Sequence, residues 1–368
     1  MGPHEEFFVS GPRHMMVNTD CGSSPKKMIE IDWNNLDQRR CITACLVKGS
    51  YVLESDQTKV TQLAPAWWQS FHFRRIDVLE CACECVFCKI FGPNTWFICG
   101  VVFEYVPPEG VPRHPKAPRY IVAFRGTMPR DPTIFGDMRL NLRILLNKQH
   151  LCSRFSEARK LVRQLVSSAD CDSTGSTVWL AGHSLGASIA LDVGRDMMMG
   201  EGFNLPTFLF NPPHVSLAPA ANMLGVPEEA KRDVHLGSYL VKHAMGKTIL
   251  RPQKKKMEAV FEKLSSWVPE LYVHQRDFIC NGYIDHFELR KQAQERCPRV
   301  AKSAATLAYR DLLHPCAVSG FGDKKSGRQH LLPSARLWKN SNPEGNAHEL
   351  RQWWHPDLIL SSNLYSWP

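Results

Sequence analysis

The sequence predicts an α/β fold with a mostly parallel central sheet flanked by helices. Short apolar runs of strand length, "RYIVAFRGT" (119–127), "STVWLAG" (176–182) and "TFLFNPP" (207–213), alternate with segments of helical period, "SRFSEARKLVRQLVSSA" (153–169) and "SLGASIALDVGRDMMM" (184–199). Strand, helix, strand, helix, strand in that order is the pattern of parallel strands joined by crossovers. The chain has 368 residues, 43% hydrophobic and 22% charged, enough for a large core and ordinary for a globular protein. The expected organisation is a tail over residues 1–35 and a single domain over 36–368.

Taken in order, residues 36–56 space Leu36, Arg40, Thr43, Ala44, Val47 and Tyr51 as an amphipathic helix. Trp67, Trp68, Phe71 and Phe73 cluster in "PAWWQSFHF", which reads as core or as a docking seam. "GVVFEYV" (100–106) and "RYIVAFRGT" make a hairpin around a Pro-rich loop at 107–118. Ser153 is a candidate N-cap for the helix it precedes. Residues 227–267 read as helical and basic, and "ELYVHQRDFI" (270–279) as a strand running into a loop. Residues 285–313 read as helical, and 314–346, rich in Gly, Ser, Pro and charge, mostly as loop.

The formal net charge of +9 is spread along the chain, with one compact run at Lys254-Lys255-Lys256. That run reads as a solvated helix end or, more sharply, as a contact for anionic head groups. No basic stripe interleaved with aromatics occurs, so nucleic acid is not an expected partner. "MGPHEEFFVSGPRHMM" has early acids and no apolar core of a secretory signal. Pro3 and Glu6 break the myristoylation pattern, so a cytoplasmic location is expected. The 13 cysteines are then expected to be reduced thiols. Cys81, Cys83, Cys85 and Cys88 lie close together, but no second paired motif or His-x-x-x-His follows, and no metal is proposed. The uncharged run from Ile90 to Phe103 is too short to span a bilayer as a helix.

Gly182-His183-Ser184-Leu185-Gly186 joins an apolar strand to a helix rich in small residues. A serine at such a junction is raised on a strained turn. The glycines two before and two after keep neighbouring side chains clear, and the helix N-terminus favours developing negative charge. Ser184 therefore reads as the nucleophile of an elbow, against the plainer reading of a glycine turn that contains a serine. His183 is adjacent to the serine, points away from it, and is not the base.

A serine hydroxyl needs a base, an acid to orient the base, and donors for the oxyanion. The α/β-hydrolase order is Ser, acid, His. Asp277 follows "ELYVHQR" at a strand's carboxyl end, where such sheets place their chemistry. Asp285 is the competitor but reads as a helix start. His348, in "GNAHELRQWWHP", is the favoured base, with His355 and His330 behind it. Leu185, directly after the serine, offers one backbone donor. The "VAFRGT" junction offers a second at Thr127, although "FRGT" alone reads equally well as a plain turn.

With these motifs together, the chain resembles the class 3 (fungal-type) lipases, and most of all a plant subgroup of lipase-like α/β-hydrolases. Members of that subgroup are often labelled GDSL esterase/lipase, although no Gly-Asp-Ser-Leu occurs here. The similar stretches are "LAPAWWQSFHF", "YIVAFRGTMPRDPTIFGDMRLNL", "LAGHSLGASIALDVGR", "FLFNPPHVSLAP", "LSSWVPELYV" and "HELRQWWHPDL". From its position and composition, the helical 227–267 segment is expected to lie over the site as a lid-like insertion. The resemblance implies an α/β-hydrolase fold. It implies Ser184 as nucleophile, Asp277 as acid, His348 as base, and Thr127 and Leu185 as oxyanion donors, with a structural role for Asp137. The chemistry it implies is hydrolysis of an acyl ester or lipid without cofactor; peripheral contact with a membrane or lipid-droplet surface is a further expectation, alongside the basic run. The alternative the resemblance allows is a non-catalytic lipase-like scaffold or ligand-binding regulator. Residues 76–99 depart from the family pattern: "KIFG" and "VVFEY" read as two halves of one strand, split by "PNTWFICG".

Overall fold

The computed structural model describes residues 30–59, 67–81, 97–126, 152–168, 177–214, 244, 247, 251–306, 332–355 and 358–367. Thr127, Asp137, His330 and three of the clustered cysteines (Cys83, Cys85, Cys88) lie outside the described residues, as does most of the 1–35 tail.

Eight strands form one sheet in sequence order: β1 (Phe73–Cys81), β2 (Phe97–Tyr105), β3 (Tyr120–Phe124), β4 (Val178–His183), β5 (Thr207–Phe210), β6 (Glu270–His274), β7 (Ala335–Asn340) and β8 (Leu360–Tyr365). β3 to β7 run parallel, while β1, β2 and β8 pair antiparallel at the two ends. The helices are α1 (Leu36–Lys59), α2 (Ser153–Ser168), α3 (Leu185–Gly200), α4 (Arg251–Leu264), α5 (Gly282–Arg296) and α6 (Pro298–Ala305), with short 3-10 turns at Trp67–Phe71 and Leu350–Trp354.

Alternation along the central strands sorts side chains into two apolar layers. Val122, Phe124, Leu180, Leu209, Leu271, Val273 and Leu337 face one layer with α2, α3 and α5. Ile121, Ala123, Trp179, Ala181, Phe208, Phe210 and Tyr272 face the other, with α1 and the 3-10 turns. Parallel neighbours in strict sequence order with crossovers of one hand bring the crossing helices to one face, which leaves the opposite face for the chain's two ends to cover. α1 takes that place. It was expected to be amphipathic, but Arg40 to Val47 are buried all round. The sheet lies on one side of it and the 350–354 turn, held by a 2.9 Å bond from Arg40 Nε to the Trp353 carbonyl, on the other.

Three further expectations change. Ser153 is the first residue of α2 rather than its cap. "KIFG" (89–92) and residues 93–96 lie outside the described residues, but Phe97–Gly100, expected to interrupt a strand, run on into "VVFEY" as β2, paired with β1. The 314–346 segment contains β7, whose Ala335, Leu337 and Asn340 are buried while charged neighbours alternate between them; that polar interleaving made it read as loop. In the helical segment before β6, α4 buries Met257, Phe261 and Leu264, with Phe261 edge-on to Trp367 at 4.8 Å, and its lysines lie outward or half-buried. Among the described residues no helix is long and apolar enough to cross a membrane.

Candidate active site

The carboxyl ends of β3 to β7 converge on one spot. β4 runs straight into α3 through Ser184, whose φ of 53° and ψ of −124° lie where an L side chain is strained. The turn is held by the Ser184 N–H donating to the Phe210 carbonyl at 2.9 Å. Gly182 and Gly186 are required by close approach: a Cβ on the first would strike the backbone of Gly186, and one on the second the backbone of Phe124. The hydroxyl of Ser184 is thereby lifted off the end of the sheet. Leu185 opens α3, so its N–H has no acceptor within the helix and lies at the positive end of the dipole.

The Ser184 Oγ lies 3.1 Å from His348 Nε2, and His348 Nδ1 lies 2.8 Å from Asp277 Oδ2. Asp277 sits three residues past the end of β6 and is 2% exposed. Its Oδ1 accepts the Ile279 N–H at 3.0 Å, while Oδ2 also accepts from Asn211 Nδ2 at 2.7 Å and from the Cys280 thiol at 3.0 Å. Burial pushes the carboxyl up. The hydrogen bond and charge of His348, with the donations of Cys280 and Asn211, outweigh it and hold the pKa below the ordinary value. A buried carboxylate with this many donors stays ionised and orients the imidazole with Nδ1 protonated and Nε2 free toward the serine. Asp285 instead stands in the first turn of α5, and His355 is exposed beyond the 350–354 turn.

The loop that carries His348 is pinned along its length, which is how an irregular segment holds a base in place. His274 Nε2 donates to the Asn342 carbonyl at 3.0 Å, Arg276 to Gly345 at 3.1 Å, Asn211 Nδ2 to Ala347 at 3.0 Å, and His183 Nε2 to His348 itself at 2.9 Å. Asn211, fully buried and at φ 47°, is the hub: besides Asp277 and Ala347 it accepts the Trp353 indole N–H at 2.6 Å. The sequence reading did not single it out. A polar residue directly after the apolar run Phe208-Leu209-Phe210 and ahead of two prolines was the available signal.

The oxyanion region is described as far as Gly126, one residue before Thr127. A Cβ there would come within 2.6 Å of the Tyr51 hydroxyl and 2.9 Å of Ser184 Cβ, so glycine lets this turn lie against the serine. Chemically the arrangement offers a polarised hydroxyl, a base fixed by an ionised acid, and a backbone donor at a helix start.

The chain is similar to a protein of Arabidopsis thaliana named as a GDSL esterase/lipase. The two are 30% identical, with 99% of this chain and 98% of the relative covered. No family model matches the chain, and no solved structure matches it.

Proposed function

The chain belongs to the GDSL esterase/lipase family and is a carboxylic ester hydrolase, and we propose that it works through a Ser184–His348–Asp277 triad of the class 3 lipase type on an acyl-lipid ester. The observation that carries this reading is the continuous contact from Ser184 Oγ through His348 to a buried, ionised Asp277. The family label names a Gly-Asp-Ser-Leu motif, whereas the serine here stands in Gly-His-Ser-Leu-Gly.

In this mechanism His348 Nε2 takes the Ser184 proton as Oγ attacks the ester carbonyl, and Asp277 stabilises the imidazolium without accepting its proton. The tetrahedral oxyanion is held by the Leu185 N–H at the start of α3 and by Thr127. Collapse expels the alcohol, protonated by His348, and leaves an acyl-serine. Water, deprotonated by His348, then releases the acid and restores the hydroxyl. No cofactor takes part.

We further assign the α/β-hydrolase fold, with the segment between β5 and β6, most of which before Arg251 lies outside the described residues, as its lid. α4 is the lid's root, anchored through Met257 and Phe261. The outward lysines of α4 would favour an anionic lipid surface.

The test is hydrolysis of nitrophenyl acyl esters. Purified protein should turn them over, Ser184→Ala should abolish turnover, and a serine-directed phosphonate should label Ser184 alone. An inert wild type that the phosphonate leaves unlabelled would sink this reading in favour of a lipase-like scaffold.

A further inference from the structure

We infer that Tyr51 and His183 form a positioning bridge that ties the oxyanion turn to the loop carrying His348; the inference rests on the ester-hydrolase reading of the site. The Gly126 N–H donates to Tyr51 Oη at 2.6 Å, Tyr51 Oη lies 2.8 Å from His183 Nδ1, and His183 Nε2 lies 2.9 Å from the His348 carbonyl oxygen. The carbonyl can only accept, so Nε2 carries the hydrogen. In a neutral ring Nδ1 is then an acceptor, and the tyrosine hydroxyl, already accepting from Gly126, donates to it. Every atom in the chain of bonds has one consistent role.

The protonation states this needs are the ones burial enforces. Burial and the neighbouring His348 lower His183 to about 3, so its ring is neutral, and burial lifts the Tyr51 phenol to about 12, so it keeps its proton.

Both ends of the bridge are backbone groups of the reacting segments. Gly126 directly precedes Thr127, and the far acceptor is the carbonyl of His348 itself. His183 is the residue before Ser184, so the bridge passes beside the nucleophile. α1 grips the same turn a second time: Glu54, one helical turn beyond Tyr51, pairs with Arg125 at 3.3 Å, and Arg125 donates to the Gly126 carbonyl at 2.9 Å. At the other end of α1, Arg40 holds Trp353, five residues after His348. The N-terminal helix thus sets the separation between the oxyanion turn and the base, two groups that must act on one carbonyl. Neither Tyr51 nor His183 hydrogen-bonds a reacting atom, and the His183 ring lies against that of His348 at 5.0 Å between centroids, so both are positioning residues.

The experiment is a double-mutant cycle on the full chain with a nitrophenyl acyl ester: wild type, Tyr51→Phe, His183→Ala and the double variant, beside Ser184→Ala. If His183→Ala does not fold, His183→Gln, which keeps one donor and one acceptor, takes its place. Each single change is expected to lower kcat about tenfold with KM altered less than about twofold, and the double variant to lose about what one single loses. Tyr51→Phe with the kcat of wild type, losses that multiply, or a loss confined to KM would each overturn the bridge while leaving the ester-hydrolase reading intact. An inert, unlabelled wild type would overturn both.

Discussion

The imidazole of His183 donates from Nε2 to the backbone carbonyl of His348 at 2.9 Å, joining the residue before the proposed nucleophile to the proposed base across 165 positions of sequence. On the other side of the ring Nδ1 accepts from Tyr51 at 2.8 Å, which requires a neutral His183, whose folded pKa is about 3 against an ordinary 6.5.

The pH dependence of stability follows from that depression. Below 6.5 the unfolded chain binds a proton that the native His183 refuses. Its contribution to stability is therefore full above 6.5 and is lost as pH falls toward 3. The slope is about 1.4 kcal/mol per pH unit from this one group. Thermal midpoints measured from pH 7 to pH 4 should fall for the wild type and fall less for His183→Gln. Parallel curves for the two proteins would refute this.

Asp277 acts in a lower range. Its folded pKa is below the ordinary 3.8, so its carboxylate stabilises the fold above that value and the contribution disappears as pH drops through the lowered one. Asp277→Asn should therefore flatten the acid-side loss of stability below about pH 4. At neutral pH it should cut kcat about 10³- to 10⁴-fold, because the amide can hold the wrong tautomer of His348. Steady-state kinetics and acid titration of one variant read both effects.

Asn211→Ala removes the hydrogen bonds to Asp277, Ala347 and Trp353 at once and places alanine at φ 47°. The expected destabilisation is about 3 kcal/mol, since the buried partners are left unsatisfied. Asn211→Gly relieves the backbone but not the bonds, and should recover about 1 kcal/mol of that loss. Chemical denaturation of the pair separates the two contributions.

Ser184 offers a direct measure of stored strain. In most element interiors alanine is more stable than glycine by about 0.5–1 kcal/mol. At φ 53° and ψ −124° the order should reverse, with inactive Ser184→Gly melting above inactive Ser184→Ala. The usual order would show that the turn carries no steric cost.

Glu54 and Arg125 are paired with side chains 4% and 6% exposed. Glu54→Ala should cost about 3–5 kcal/mol by leaving the guanidinium buried without its carboxylate. Differential scanning calorimetry would show this as a lowered midpoint. A change within error would mean that other contacts of Arg125 neutralise its charge.

Much of the architecture was legible because its causes are local. The serine turn needs only five residues and the apolar run before them. The strands of "RYIVAFRGT", "STVWLAG" and "TFLFNPP" show as uninterrupted apolar runs because both faces of a central parallel strand are buried. β7 was missed for the complementary reason: near the sheet's edge only alternate positions are buried, and Arg336 and Lys339 interrupt the signal. α1 read as amphipathic because its spacing carries no record of the C-terminal turn that covers its outer side. Asp277 and His348 could be marked by order and by strand ends, but the sequence left Asp285, His330 and His355 beside them.

By itself, then, the sequence determined the strands and helices on either side of the serine (β3, α2, β4, α3 and β5), and where the backbone must turn tightly enough to need glycine. Steric and periodic effects act over a few residues and are written in those residues. Only the tertiary structure decided which side chains meet: Tyr51 with His183 across 132 positions, Ser184 with His348 across 164, Asn211 with Trp353 across 142. Those distances depend on the order of strands in the sheet and on which face each crossover returns along. A hydrogen bond of under about 3.2 Å is lost with an ångström's displacement, so no local pattern carries it.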